Sequence, residues 1–212
     1  MRIFFIMVSG WLGVGALRVS AVTLIRFQFD AQSVAPQVLD PNASAINFTS
    51  QNGGGGPSPA AGNPAPGFEG QNFQGPMANL GRFFRFNIIV DSGFDMDLNS
   101  LVFDQRAPNT TVSNWEVRYS VDNYSTAIGA GLTTLGFQPA MVNLSDVNLT
   151  GNIEFRLYAY GAPGPMARWQ VDNVTLDGEI TPENSSSVPE PSSLALLAIA
   201  GGMVFVRRRL LA

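Results

Sequence analysis

An all-β fold, an antiparallel two-sheet sandwich of jelly-roll-like type with a targeting segment at each end, is the architecture this sequence predicts. Two patterns lead there. Between residues 22 and 178 apolar and polar residues alternate with a period of two in one segment after another, enriched in β-branched and aromatic side chains. No stretch of the body sustains a 3.6-residue period. Alternation with one apolar face marks antiparallel sheets that bury one side, and eight or so such strands suffice for a sandwich.

Taken in order, Val22 to Asp30 (VTLIRFQFD) sets Ile25, Phe27 and Phe29 on one face. Arg82 to Asp91 alternates Phe84, Phe86, Ile88 and Val90 against Arg85, Asn87 and Asp91. Leu98 to Phe103 is a shorter candidate, as are Gly131 to Phe137 and Ala140 to Leu144. Asn114 to Val121 is the cleanest strand, with Trp115, Val117, Tyr119 and Val121 inward. Asn152 to Tyr160 sends Ile153, Phe155 and Leu157 one way and Glu154, Arg156, Tyr158 and Tyr160 the other. In Arg168 to Leu176 the apolar parity changes between Trp169-Val171 and Val174-Leu176, which predicts a β-bulge at Asp172-Asn173. Residues 52–76 are another material: thirteen of the twenty-five are Gly or Pro, which reads as a mobile surface loop. Gly53 to Gly56 cannot form a phosphate loop, because no Lys-Ser/Thr follows and no helix opens.

The ends differ from the body. Met1-Arg2, an apolar run from Ile3 to Leu17 and the exit Arg18-Val19-Ser20-Ala21 have the form of a secretory signal peptide over residues 1–21. Val19 and Ala21 would fill the two pockets of signal peptidase; a buried first strand or an uncleaved anchor is the alternative. After a polar linker at 179–187, the segment 188–212 opens with Val188-Pro189-Glu190-Pro191. An apolar helix at 194–206 and the triplet Arg207, Arg208 and Arg209 follow. Thirteen residues of helix cover about 20 Å, short of a hydrocarbon core of roughly 30 Å. Such a helix suits a transient anchor, with the arginines as a stop-transfer signal held on the cytoplasmic side.

Those three ordered elements closely resemble the PEP-CTERM sorting domain of Gram-negative bacteria. The resemblance implies recognition by an exosortase, cleavage near the Pro-Glu-Pro motif, and a host that makes exopolysaccharide and biofilm. It also implies an exported chain, anchored transiently in the inner membrane and then released to the cell surface or matrix. No Leu-Pro-x-Thr-Gly sortase motif is present, and the terminal arginines argue against a GPI signal. The body is similar, diffusely, to domains common in PEP-CTERM proteins of aquatic bacteria. The stretches that carry this are Phe27-Gln28-Phe29-Asp30, residues 100–104 (SLVFD), residues 114–118 (NWEVR) and residues 169–174 (WQVDNV). No assigned activity comes with that similarity.

Composition narrows the chemistry. The chain has no Cys and no His, and its twelve basic residues are all Arg. Thiolate zinc sites, disulfides, Cys or His catalysis and Schiff-base lysines are therefore excluded. No Gly-x-Ser-x-Gly elbow occurs and no pair of carboxylates is tied to a common cleft, so no catalytic residue and no cofactor is expected. A chain cut after Ala21 and near Pro189 keeps seven Arg against fifteen or sixteen acidic residues. Such a body repels nucleic acid and anionic lipid and contacts the membrane only through its tail. Asp91 to Asp97 resembles a calcium loop, but it lacks the closing Glu and reads as a solvated turn, so no metal is expected. Asn-x-Ser/Thr triplets at Asn47, Asn148 and Asn173 are read as strand and turn residues.

The preferred functional reading is a non-enzymatic cell-envelope or matrix protein, processed by signal peptidase and exosortase. The second is a carbohydrate-binding module in which outward Tyr158 and Tyr160 stack sugars and Arg156 donates to hydroxyls, with exopolysaccharide as partner. Trp115 and Trp169 are placed in the core by alternation. A carboxylate-dependent polysaccharide hydrolase comes last.

Overall fold

A computed structural model describes residues 22–52, 54–108, 112–149 and 151–183. The signal segment with Val19 and Ala21, and the tail from Val188 through Arg209, lie outside them. In chain order the strands are β1 (Val22–Phe27), β2 (Val38–Leu39), β3 (Ala43–Ser44), β4 (Thr49–Gln51), β5 (Gly56–Ser58), β6 (Gly67–Gln71) and β7 (Phe83–Val90). They continue with β8 (Phe94–Arg106), β9 (Asn114–Tyr119), β10 (Gly129–Leu132), β11 (Gln138–Leu149), β12 (Asn152–Tyr160) and β13 (Arg168–Pro182). All named strand pairs are antiparallel, and two sheets form, as the alternation predicts. Sheet A runs β11-β8-β13-β1-β2, with β6 also on β13 and β5 on β6; sheet B runs β10-β9-β12-β7-β3, with β4 also on β7.

The apolar faces of the two sheets meet in a core dominated by aromatic rings. Phe27, Phe29, Phe48, Phe68, Phe84 and Phe86 pack with centroids 4.9–6.4 Å apart. The Trp169 indole of sheet A lies flat on Phe84 of sheet B, centroids 5.1 Å apart and planes 6° apart. Trp115 meets Phe103 edge-on at 5.2 Å. Truncating any one of these rings to Ala would cost about 3–5 kcal/mol.

The bulge expected at Asp172-Asn173 is present, with Asn173 at φ 50° and a register shift against β8 between Asp172 and Thr175. Trp169, Val171, Val174 and Leu176 are all buried as a result. The bulge does a second thing: β13 pairs with β6 before it, over Arg168–Val171, and with β1 after it, over Val174–Gly178.

Three expectations need correction. The strand at Asn114 stops at Tyr119, and Val121 is 50% exposed in a 3-10 turn. Asp122 ends the strand by accepting from the N–H groups of Ser125 and Thr126. Residues 52–76 are not simply a surface loop: β5 and β6 lie within them, and Phe68 and Phe73 enter the core. Glycine permits this at Gly70, where a Cβ would stand 2.6 Å from the Phe84 ring. Finally, β13 runs past 178 to Pro182, because Glu179 to Pro182 continue the ladder with Asp97 to Phe94.

Candidate functional site

On the outer face of sheet B, three arginines stand in register on adjacent strands: Arg118 on β9, Arg156 on β12 and Arg85 on β7. Like charges opposite one another are unfavourable unless they are bridged, and here carboxylates bridge them. Glu154 accepts from Arg156 Nε at 2.7 Å and from Arg85 Nη1 at 3.4 Å, and Glu116 accepts from Arg118 Nε at 2.6 Å. The turn after β9 folds over this row. Arg118 Nη1 donates to the carbonyls of Tyr124 and Ser125, and the Tyr124 hydroxyl donates to Glu154 at 2.9 Å. Arg156 lies 3.5 Å from the Tyr124 ring centroid and 4.2 Å from that of Phe83. Burial and the Glu154 carboxylate push the Tyr124 phenol up to about 12.

This arrangement removes the stacking strip read from the sequence. Tyr158 does project from the sheet-B face opposite the core, but it is 0% exposed beneath Phe83 and the arginines. Among the described residues its hydroxyl has no partner at good hydrogen-bond geometry, and burial raises its pKa although the nearby Arg156 and Arg118 guanidiniums pull the other way. Arg156 is engaged by Glu154 and two rings, while Tyr160 is half-buried. Sequence parity located the face correctly but could not show that the turn at Asp122–Ser125 would close over it. Trp115 and Trp169 are both in the core.

The outer face of sheet A is open. A groove of about 500 Å³ is lined by Ala60, Glu69, Arg106, Pro108, Met166, Arg168 and Gln170. Its floor is a row across three strands, since Gln170 on β13 sits opposite Glu69 on β6 and Arg106 on β8. Gln170, 3% exposed, accepts from Arg106 Nε at 2.6 Å and donates through Nε2 to Glu69 Oε2. Arg168 pairs with Glu69 Oε1 at 3.1 Å, and the Arg106 guanidinium lies 4.4 Å from the Phe137 ring centroid. Little in the residue pattern signals this groove. Glu69 lies in a Gly/Pro-rich segment that reads as a loop, and Gln170 stands between the core residues Trp169 and Val171 with nothing in the alternation to mark it.

Beside the groove, Asp172 is 1% exposed at the bulge. Its two oxygens accept the N–H groups of Asn63 at 2.6 Å and Asn173 at 2.8 Å. Asp104 accepts from the side-chain amides of the same two residues, and Asn173 Nδ2 donates to the Asn63 carbonyl. Burial raises Asp172 to about 6, further helped by the charges of Asp104 and Asp30 and opposed by the two N–H bonds. The group clips the segment after β5 to sheet A. At the hairpin Asp91–Asp97, Gly93 takes φ 86° and the Phe94 N–H closes on the Asp91 carbonyl. Among the described residues no group of three or more acidic side chains is placed to hold a metal ion.

Beyond the described residues, 187–209 match the model of the PEP-CTERM protein-sorting motif. The chain carries a PEP-CTERM sorting motif. A PEP-CTERM motif indicates export and a transient membrane anchor before exosortase sorting. No characterised protein sequence matches the chain significantly. Among solved structures, TmCBM61 in complex with β-1,4-galactotriose is similar at 11% identity and TM-score 0.42, covering 72% of this chain and 94% of that one. The K3 cleaved adhesin domain of Lys-gingipain from Porphyromonas gingivalis is similar at 14% and 0.42, covering 74% and 99%. The mannan-recognising carbohydrate-binding module TmCBM27 is similar at 10% and 0.42, covering 76% and 99%. Similarities of this depth carry no residue's role from those proteins onto this chain.

Proposed function

We propose that this chain is a non-enzymatic protein of the cell surface or extracellular matrix, exported behind a cleaved signal peptide and released by exosortase cutting near Pro189 to Pro191. The observation that carries the reading is the sorting motif at 187–209, which begins five residues after β13 ends at Pro182. A short polar connection of that kind would hold a folded body just outside the membrane until the motif is cut. The body fits a role without catalysis. The carboxylates Glu116 and Glu154 are spent on arginines, and Asp172 is spent on backbone N–H groups.

The test is C-terminal mass spectrometry of the surface form from its native host. The expected product lacks Arg207 to Arg209 and ends near Pro189 to Pro191. Replacing Pro189-Glu190-Pro191 with alanines should leave export intact and trap an uncut, membrane-associated precursor. Recovery of Ala212 on the surface protein would refute exosortase release.

A further inference from the structure

We propose that the sheet-A groove is a binding subsite for a neutral sugar residue of a polysaccharide. Three features argue for it. First, the site is concave and already organised: the chain Arg106, Gln170, Glu69, Arg168 links three strands, and each side chain is oriented by the next. A ligand that meets such a row loses little free energy in ordering it.

Second, the chemistry suits hydroxyl groups. A sugar hydroxyl both donates and accepts, so it needs acceptors and donors side by side. Glu69 supplies carboxylate oxygens, each with a further lone pair beyond its bond to Gln170 or Arg168. Arg106 uses Nε for Gln170, and among the described residues its two Nη groups have no hydrogen-bond partner and can donate. The two residues lie on strands two places apart with Gln170 between them, about 10 Å between backbones. That span lets one pyranose ring reach across Gln170 and engage both ends.

Third, the walls include apolar surface next to the polar floor. Met166, 69% exposed, stands over the groove with Pro108 and Ala60. Sugars present C–H faces as well as hydroxyls, and pockets for small molecules combine an apolar wall with a few fixed polar groups in this way. The row holds two guanidiniums against one carboxylate on a body of net negative charge. Asp104 and Asp172 stand two residues along β8 and β13 from Arg106 and Gln170, so acids balance the two guanidiniums and a polyanion meets no net positive field, which favours an uncharged glycan.

The experiment is affinity electrophoresis of the full chain in gels containing neutral polysaccharides (a galactan, a mannan and a β-glucan) or a polyuronate. At least one neutral polymer should retard the wild type, with retardation insensitive to salt. Arg106→Ala and Glu69→Gln should each weaken it by about tenfold or more, the size expected for losing a hydrogen bond to a charged group. Glu69→Gln keeps an acceptor for Gln170, so its thermal melt should stay near wild type and separate lost binding from lost folding. Arg156→Lys, on the opposite sheet, should bind as wild type does. No retardation by any neutral polymer, unchanged retardation in both groove variants, or retardation only by polyuronate that disappears with salt would each overturn the proposal.

Discussion

Asp172→Asn isolates what the buried carboxylate at the bulge does to stability. Asp172 sits about two units above the ordinary 3.8, at about 6, because burial penalises its charged form more than two N–H bonds favour it. A folded pKa above the unfolded one means that the folded state binds the proton more tightly. The associated stability is therefore fully present below pH 3.8 and is lost as pH rises through 6. At about 1.4 kcal/mol per unit, ionised Asp172 destabilises the fold at pH 7.5 by about 3 kcal/mol relative to its protonated state. Roughly half of that loss falls between pH 5 and pH 7.5. Asparagine is neutral throughout and still offers one acceptor to Asn63 or Asn173. Urea titrations at fixed temperature, followed by tryptophan fluorescence, should therefore show the variant gaining on wild type by about 1.5 kcal/mol between pH 5 and 7.5. A difference that stays constant across that range, or that moves the other way, would refute the assignment of a raised pKa to this group.

Two further substitutions test the placement of aromatic groups. Trp115→Ala should cost about 3–5 kcal/mol in the same assay, since Trp115 packs on Phe103 and a Cβ at Gly131 would already touch its ring. Near-neutral stability would return Trp115 to the surface. Tyr158→Phe should be neutral or stabilising by up to about 1 kcal/mol, because it deletes a buried hydroxyl that has no well-aligned partner among the described residues. A loss above 1 kcal/mol in a thermal or urea melt would mean that the hydroxyl is bonded, to Arg156 in the first place.

Much of the sandwich was legible because burial on one face writes itself as alternation. The bulge at Asp172-Asn173 could be read two residues wide from a change of parity, since a slip would have turned Trp169 or Leu176 to solvent. What alternation cannot report is the cover on an outer face. Tyr158 obeys the outward parity and is nonetheless buried, because Phe83 and the Arg118 side chain lie over its ring, and Arg118 is itself held by the turn at Asp122–Ser125, remote in sequence. Residues 52–76 misled in the opposite sense. Gly and Pro signal loops by local propensity, yet Gly70 is small so that Phe84 can lie against its backbone, and Phe68 and Phe73 carry the segment into the core. The groove went unread for the same reason: its row joins β6, β13 and β8, and only the register brings Glu69, Gln170 and Arg106 together.

Topology finally connects the sorting reading to the groove. Val22 pairs with Gly178, so the body begins and ends at the same end of sheet A, where β13 leaves toward the motif at 187. The groove residues Arg168 and Gln170 lie at the opposite end of β13. From Gln170 to Pro182 the strand advances twelve residues, about 40 Å at 3.3 Å each. With the Pro182 end at the membrane, the groove stands several Debye lengths from the headgroups, about 8 Å each at physiological salt. Neither the bilayer nor its surface charge should reach it. The uncut precursor made by changing Pro189-Glu190-Pro191 to alanines should therefore bind neutral polysaccharide as well as the released form does, whether in detergent or in vesicles of anionic lipid. Equal affinity, within about twofold by co-sedimentation with the insoluble polymer, is the expected result. Binding that appears only after release would place the groove at the membrane-facing end and would reverse the orientation of the sandwich on its tail.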